Sequence, residues 1–233
     1  TEVTVQVRYI TQAVEIPAIA DADTGFGEGL HFRRAMALFE EAGAAGVQIE
    51  DQQFPKRCGH LSGKTLISAK DMAEKIKIAV KHRADSDFLI IARTDARGVT
   101  DLKDAMARAR RYIDAGADLI FPEALQSAEE FETFAKSVNI PLLANMTEFG
   151  KSPALSAETL FQMGYAIVLF PMTLFRIAAG AMARGLEMLK KEGSVQKMLG
   201  EMQTREALYR LVDYDAFEQL DEEMASKPPE RGA

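Results

Sequence analysis

Six times along this 233-residue chain, a short apolar run bounded by turn residues is followed by a segment whose apolar residues recur every three or four positions. The runs cover residues 16–20, 46–49, 88–92, 118–121, 141–144 and 166–170, and they read as buried parallel strands, apolar on both faces. The segments between them read as helices. Phe32, Met36 and Phe39 share one face, as do Met72, Ile76 and Ala79, and as do Leu102, Met106, Ala109 and Ile113. Ser127-Ala128-Glu129-Glu130 has the form of a capping box, and Ser68 and Ser156 stand where N-caps belong. Gly43, Gly116 and Gly164 fall at the joins, where a helix C-terminus must turn. Strict alternation with short joins predicts an α/β fold of right-handed βα units around a parallel sheet.

A closed barrel of this kind needs eight strands, and six are legible. Val3, Val7, Ile10 and Val14 fit one helical face, so the first 15 residues are predicted as the helix before the third strand. The first two strands are then expected upstream of this chain. Residues 173–191 read as a helix after the eighth strand, followed by further helices over 194–225 and a polar stretch at 227–231. No linker-like stretch divides the sequence. Residues 1–233 are therefore expected to form a single barrel domain, strands three to eight plus a helical tail from about 194.

The net charge of -7 and pI near 5.2 give no general electrostatic reason to bind nucleic acid or an anionic membrane. The longest apolar runs, such as 166–172, fall far short of the roughly 20 residues that span a bilayer, so no membrane segment is expected. One cysteine excludes an internal disulfide, which suits a reducing, cytoplasmic setting; a targeting segment upstream would not be visible.

Nearly every predicted strand ends on a residue able to do chemistry, and in α/β barrels those ends form the mouth of the active site. Strand side chains alternate, so Asp21 and Asp23 point the same way. Two convergent carboxylates suit a hard cation. Glu50, closing the next strand, adds another oxygen donor; Mg2+ takes only one or two protein oxygens directly and keeps waters. The competing use of Asp21 and Asp23 is to cap the helix that follows. Gly25 and Gly27 weigh against it, because they permit close backbone approach to a ligand and the helix is predicted to begin only near Leu30. Arg93 and Asp95 share a face, as do Asn145 and Thr147, with Glu123 ending the strand between. Arg93 is a candidate clamp for a substrate carboxylate, or the partner of Glu123 in a structural ion pair, and the two uses are compatible. Arg176 and Arg205, taken alone, read as surface charges, as do His31 and His82, and the scattered methionines read as core filling.

Lys56-Arg57-Cys58-Gly59-His60 places the only cysteine between two cations and a histidine in a glycine-containing loop. Neighbouring positive charge favours the thiolate and lowers the pKa from its free value of about 8.5, so Cys58 is a candidate general acid or base. A lone cysteine is also a common small buried hydrophobe, a use that these polar neighbours do not favour.

Together, residues 21–27, 49–52, 56–60, 92–96, 121–124, 144–150 and 202–205 resemble the isocitrate lyase and phosphoenolpyruvate mutase superfamily, and within it the branch acting on 2-methylisocitrate. The resemblance covers essentially the whole chain. It implies a (β/α)8 TIM-type barrel whose last helix is swapped between subunits, in a homotetramer that is a dimer of helix-swapped dimers. It implies Mg2+, with Mn2+ as a substitute, held directly by Asp21 and mainly through water by Asp23 and Glu50. Cys58 is then the catalytic acid/base, with Glu50 a candidate base through water. Gly59, His60, Arg93, Glu123, Asn145, Thr147, Arg176 and Arg205 hold substrate carboxylates or complete the pocket, and Phe121, Pro122 and Leu169 resemble a methyl-accepting wall. The superfamily also places a tyrosine-serine-glycine loop and a further metal-site aspartate on the first two strands, which are expected upstream. The activity implied is carbon-carbon cleavage of a small tricarboxylate, 2-methylisocitrate, to pyruvate and succinate in the methylcitrate cycle of propionate catabolism. Isocitrate lyase and the lyases of alkylmalates or oxaloacetate are the neighbouring readings, since a methylene-sized pocket difference discriminates by only about 1–3 kcal/mol. A catalytically silent barrel serving as a scaffold is the reading from another class.

Overall fold

The computed structural model describes residues 2–225; the polar stretch at 227–231 lies outside them. The chain divides into two compact units, the first ending at Leu174 and the second opening at Phe175.

In the first unit, α1 (Glu2–Ala13) is followed by six alternating pairs that begin with β1 (Ile19–Asp21) and α2 (Leu30–Glu41). Next come β2 (Gly46–Glu50) with α3 (Ala69–His82), β3 (Leu89–Thr94) with α4 (Leu102–Asp114), and β4 (Leu119–Pro122) with α5 (Ala128–Ser137). The last strands are β5 (Leu143–Asn145), followed by α6 (Ala157–Gln162), and β6 (Ile167–Leu169), followed by α7 (Thr173–Glu192), which runs on into the second unit. All strand pairings are parallel, in the order β1-β2-β3-β4 and β5-β6, and a parallel bridge from Ile120 to Leu142 joins the two sets. The six strands thus form consecutive staves of a TIM-type barrel, a ring that stays open among the described residues.

Alternation along the strands separates two faces. Ala20, Val47, Ile49, Ile90, Ala92, Ile120 and Ala144 pack under the helices in the main core, with Phe32 and Phe39 of α2 and Met72 and Ile76 of α3. Each such large side chain contributes about 1.5–3 kcal/mol by leaving water. On the inner face, Ile91, Leu119, Phe121 and Leu143 form a smaller cluster joined by Leu89, Ile167 and Leu169. The inner positions one step further along carry Glu50, Arg93 and Asn145.

Local chemistry explains the joins. Ser68, Ser127 and Ser156 each accept the backbone N–H three residues on. Gly43, Gly116 and Gly164 all take positive φ where a helix ends. The expected capping box is half formed: Ser127 accepts from Glu130 N–H, but the Glu130 carboxylate accepts from Gln126 N–H and pairs with Arg97. Three further expectations need correction. The first strand begins at Ile19 rather than 16. The predicted face of α4 packs on the core, with Ala109 buried and Leu102, Met106 and Ile113 partly so, but its other buried residues, Ala105 and Tyr112, lay outside that face. Helix α1 exists as predicted but ends at Ala13, one residue short of Val14, and Val3, Ile10 and Val14 are all exposed.

The second unit continues α7 with a 3-10 turn at Gln196–Glu201, α8 (Arg205–Leu211) and α9 (Tyr214–Ala225). Tyr209 and Tyr214 stack with ring centroids 4.3 Å apart. Among its described residues only Met198 is buried, and Met182, Met202 and Met224 are exposed rather than core filling.

Candidate active site

The loop after β1 is shaped by its own residues. Asp21 Oδ1 accepts the backbone N–H of Asp23 at 2.9 Å and Gln48 Nε2 at 3.0 Å, while Gly25 N–H closes a turn onto Ala22 O at 2.7 Å. Gly25 has φ +91°, and the Phe32 ring occupies the space where a Cβ would stand, so glycine is required twice over. The cap of α2 is Gly29 without a side-chain bond, which removes helix capping as the use of Asp21 and Asp23. Instead, one oxygen from each of Asp21, Asp23 and Glu50 lies within 4.8 Å of the others.

Glu50 is the buried member. Neither carboxylate oxygen has a hydrogen-bond partner, and the cations nearest in charge are Arg93 Nη1 at 3.4 Å and Lys56 Nζ at 3.8 Å. Burial pushes its pKa up to about 7; Arg93 and Lys56 pull the other way, and the charges of Asp95 and Asp21 push further up. A buried carboxylate with two unsatisfied oxygens, facing two more carboxylates, suits a divalent cation that prefers oxygen donors.

Arg93, at the end of β3, is enclosed by three acids. Its Nε lies 3.0 Å from Asp95 Oδ2, its Nη1 3.4 Å from Glu50 and its Nη2 3.6 Å from Glu123 Oε1. Its guanidinium carbon stands 5.2 Å from the centroid of the Phe121 ring. Both the expected structural pairing with Glu123 and a place on the inner face are therefore realised. Burial alone would raise the Glu123 and Asp95 carboxyls, but Arg93 beside both, His60 beside Glu123 and Lys64 beside Asp95 hold them below the usual range. Asn145 Nδ2 donates to both oxygens of Glu123 at 3.3 and 3.4 Å.

The cysteine loop leaves β2 and returns at Leu66, where an antiparallel bridge to Gln52 and the bond from Gln53 N–H to Thr65 O close its neck. The Gln52 side chain grips the backbone N–H and C=O of Arg57, both at 2.9 Å. Lys56 directs its ammonium to Asp23 at 2.5 Å. Gly59 passes so close to Glu123 and Arg93 that a Cβ would collide with both. His60 Nδ1 accepts Lys151 N–H at 2.9 Å, which places the proton of a neutral ring on Nε2. That nitrogen faces Glu123 Oε1 at 3.2 Å, close enough to pair and off the line of a good hydrogen bond. Gly150 fits against the same ring, since a Cβ there would stand 2.6 Å from His60 Nδ1 and 2.9 Å from Thr147 Cγ2. Cys58 itself is exposed.

The first unit thus gathers Asp21, Asp23, Glu50, Gly59, His60, Arg93, Glu123, Asn145 and Thr147 at the C-terminal ends of its strands, with Leu169 and Phe121 below them in the inner apolar cluster. Arg176 and Arg205 belong to the second unit and are exposed. Two groups were not singled out from the sequence. Asp51, fully buried, accepts from Thr94 Oγ1, Asp95 N–H, Tyr112 Oη and Arg108 Nη1. Lys64, also buried, donates to Gly59 O and Asp95. Neither carries a local signal, since each partner is far along the chain or across a loop.

Known proteins resemble this chain in sequence and in fold. The phosphoenolpyruvate phosphomutase family matches over residues 1–190. A 2-methylisocitrate lyase of Aeropyrum pernix is 50% identical over 222 residues, covering 95% of this chain and 71% of that protein. Among solved structures, a 2,3-dimethylmalate lyase superposes with a TM-score of 0.88 at 33% identity, covering 100% of this chain and 78% of that one. A phosphonopyruvate hydrolase in complex with oxalate and Mg2+ gives a TM-score of 0.82 at 27% identity, with 94% and 76% covered. With strand-end motifs, fold and sequence in agreement, the chain belongs to the phosphoenolpyruvate phosphomutase family.

Proposed function

We propose that the chain is a carbon-carbon lyase that cleaves 2-methylisocitrate to pyruvate and succinate in propionate catabolism. The observation that carries this reading is the seating of the cysteine loop over the acidic strand ends, Lys56 on Asp23 and His60 against Glu123. The substrate is supported by the Aeropyrum pernix relative, half identical over nearly the whole chain.

Asp21, Asp23 and Glu50 would hold Mg2+, or Mn2+ in its place, a choice supported by the oxalate and Mg2+ complex of the hydrolase neighbour. Bound there, the ion would supply positive charge that neutralises the pyruvate side of the substrate as it forms. Cleavage begins when the substrate hydroxyl loses its proton, for which Glu50 is the candidate base, acting through a water. As the hydroxyl carbon becomes a carbonyl, the electron pair of the carbon-carbon bond passes to the succinate side. Cys58 donates its thiol proton to that carbon. His60, Arg93, Asn145 and Thr147, with the close-approaching Gly59, line the place where the substrate carboxylates bind, and Glu123 holds Arg93, His60 and Asn145 in position. Phe121 and Leu169 supply an apolar wall for the methyl group.

The same reading assigns Arg176 and Arg205 to the substrate pocket of the assembled enzyme, a homotetramer of helix-swapped dimers working in the cytoplasm, with residues 1–233 as one barrel domain. No helix among the described residues is long and apolar enough to cross a membrane. Steady-state assays with Mg2+ test the substrate: pyruvate release from 2-methylisocitrate is expected, and glyoxylate release from isocitrate at a higher kcat/KM would overturn the choice.

A further inference from the structure

Lys64 lies four residues after His60, and its side chain is only 1% exposed. A buried ammonium must be paired, and one carboxylate would satisfy its charge. Here the ammonium spans two groups. It donates to Asp95 Oδ1 at 3.0 Å and to the carbonyl of Gly59, the residue that follows Cys58. Asp95 is itself fixed on its other sides, with Arg93 Nε 3.0 Å from Oδ2 and its own N–H bonded to Asp51 Oδ1 at 2.9 Å. A line of direct contacts therefore runs from the Gly59 carbonyl through Lys64 and Asp95 to Arg93 and on to Glu50 and Glu123. The opposite wall makes room for it. Gly98 has no left-handed backbone that would demand glycine, yet a Cβ there would stand 2.9 Å from Lys64 Nζ and 3.8 Å from Gly59 O.

We propose that Lys64 is a positioning residue for the lyase reaction: it seats the Gly59 carbonyl, and with it Cys58, against the Asp95–Arg93 pair at the barrel mouth. This rests on the reading of Cys58 as the proton donor. The Gln52 clamp fixes the entry of the loop at Arg57, whereas Lys64 fixes its tip, so loss of Lys64 frees the segment around the cysteine and leaves the neck closed.

Two readouts on the Mg2+-loaded protein test it. In Lys64→Met, amide hydrogen exchange over residues 57–62 is expected to accelerate at least tenfold while α3, α4 and the strands keep their protection, and kcat is expected to fall at least tenfold. In Lys64→Ala, added ethylammonium is expected to restore part of kcat by filling the vacated ammonium site, which general destabilisation would not allow. Unchanged exchange over 57–62 would overturn the proposal. Should the lysine variants fail to fold, Gly98→Ala presses a methyl onto the ammonium with its charge kept; faster exchange over 57–62 is expected, and none would overturn the proposal. The exchange readout needs no turnover. Faster exchange in a protein inactive on 2-methylisocitrate supports the seating role and sinks the substrate reading, whereas unchanged exchange in an active lyase does the reverse.

Discussion

At the scale of single residues, the chemistry turns on groups whose neighbours are fixed by the loop and strand ends. Cys58→Ser keeps the size of the side chain and replaces the thiol by a far weaker acid. If Cys58 protonates the succinate-side carbon, kcat should fall by about 10²–10⁴-fold, the usual worth of general acid-base catalysis, while substrate still binds. Calorimetric titration beside the steady-state assay checks both, and wild-type turnover in the variant would remove the role. Glu123 makes a prediction in pH. Its carboxyl is held below the ordinary 4.5 by Arg93 and His60 despite burial, so ionised Glu123 favours the folded state. That contribution is fully present above 4.5, shrinks as pH falls below it and is gone once pH passes the lowered native pKa. Glu123→Gln should therefore cost about 1–3 kcal/mol at neutral pH, with Asn145 and Arg93 left short of an acceptor, and the gap to wild type should close on acidification. Urea unfolding between pH 7 and 3 measures it; a gap that widens in acid would contradict the sign.

At the scale of elements, the sequence was most legible where a signal is local. Periodicity located all six strands and the helices, and named the buried residues Phe32, Met36 and Phe39 of α2. Ser68, Ser127 and Ser156 marked starts, and positive-φ glycines marked ends. The three carboxylates could be grouped because each closes a strand, and strand ends of a parallel sheet converge. Helix α4 was read only in part. The predicted face of Leu102, Met106, Ala109 and Ile113 does pack on the core, with Ala109 buried, but periodicity passed over Tyr112, which is fully buried, its hydroxyl donating to Asp51 Oδ2 at 2.7 Å while Arg108 reaches the same oxygen at 3.2 Å. The partners stand 61 and 57 positions apart in sequence, beyond any periodic pattern. Burial raises the Asp51 carboxyl against these donors, so each counts. Tyr112→Phe should destabilise the protein by about 1–2 kcal/mol, and melting should drop by roughly 2–4 °C per kcal/mol for a unit of this size. Differential scanning calorimetry decides it, and an unchanged melting temperature would show that the Asp51 hub is not what orients α4.

At the scale of the whole molecule, the apolar residues left exposed are the ones that call for partners. On α7, Leu174, Phe175, Ile177, Met182 and Leu186 are 61–81% exposed, and Leu211, Phe217 and Met224 of the tail are 65–73% exposed. Scattered exposed apolar residues are ordinary, but this many on neighbouring helices is unusual for an isolated soluble chain. A helix exchanged between subunits would bury them, at about 1.5–3 kcal/mol for each large side chain removed from water. The proposed homotetramer then makes a quantitative demand. Met182→Glu with Leu186→Glu, one turn apart on α7, places two carboxylates on one face, and an unpaired charge in an interface weakens association steeply. Sedimentation velocity of the wild type should show a tetramer at micromolar concentration, and the double variant should sediment as smaller species with its circular dichroism retained. Neither Met182 nor Leu186 is among the residues assigned to catalysis, so any loss of turnover that follows the loss of assembly reports on what a neighbouring subunit contributes to the site. A wild type that sediments as a monomer would remove the tetramer and leave the exposed face of α7 to a different partner.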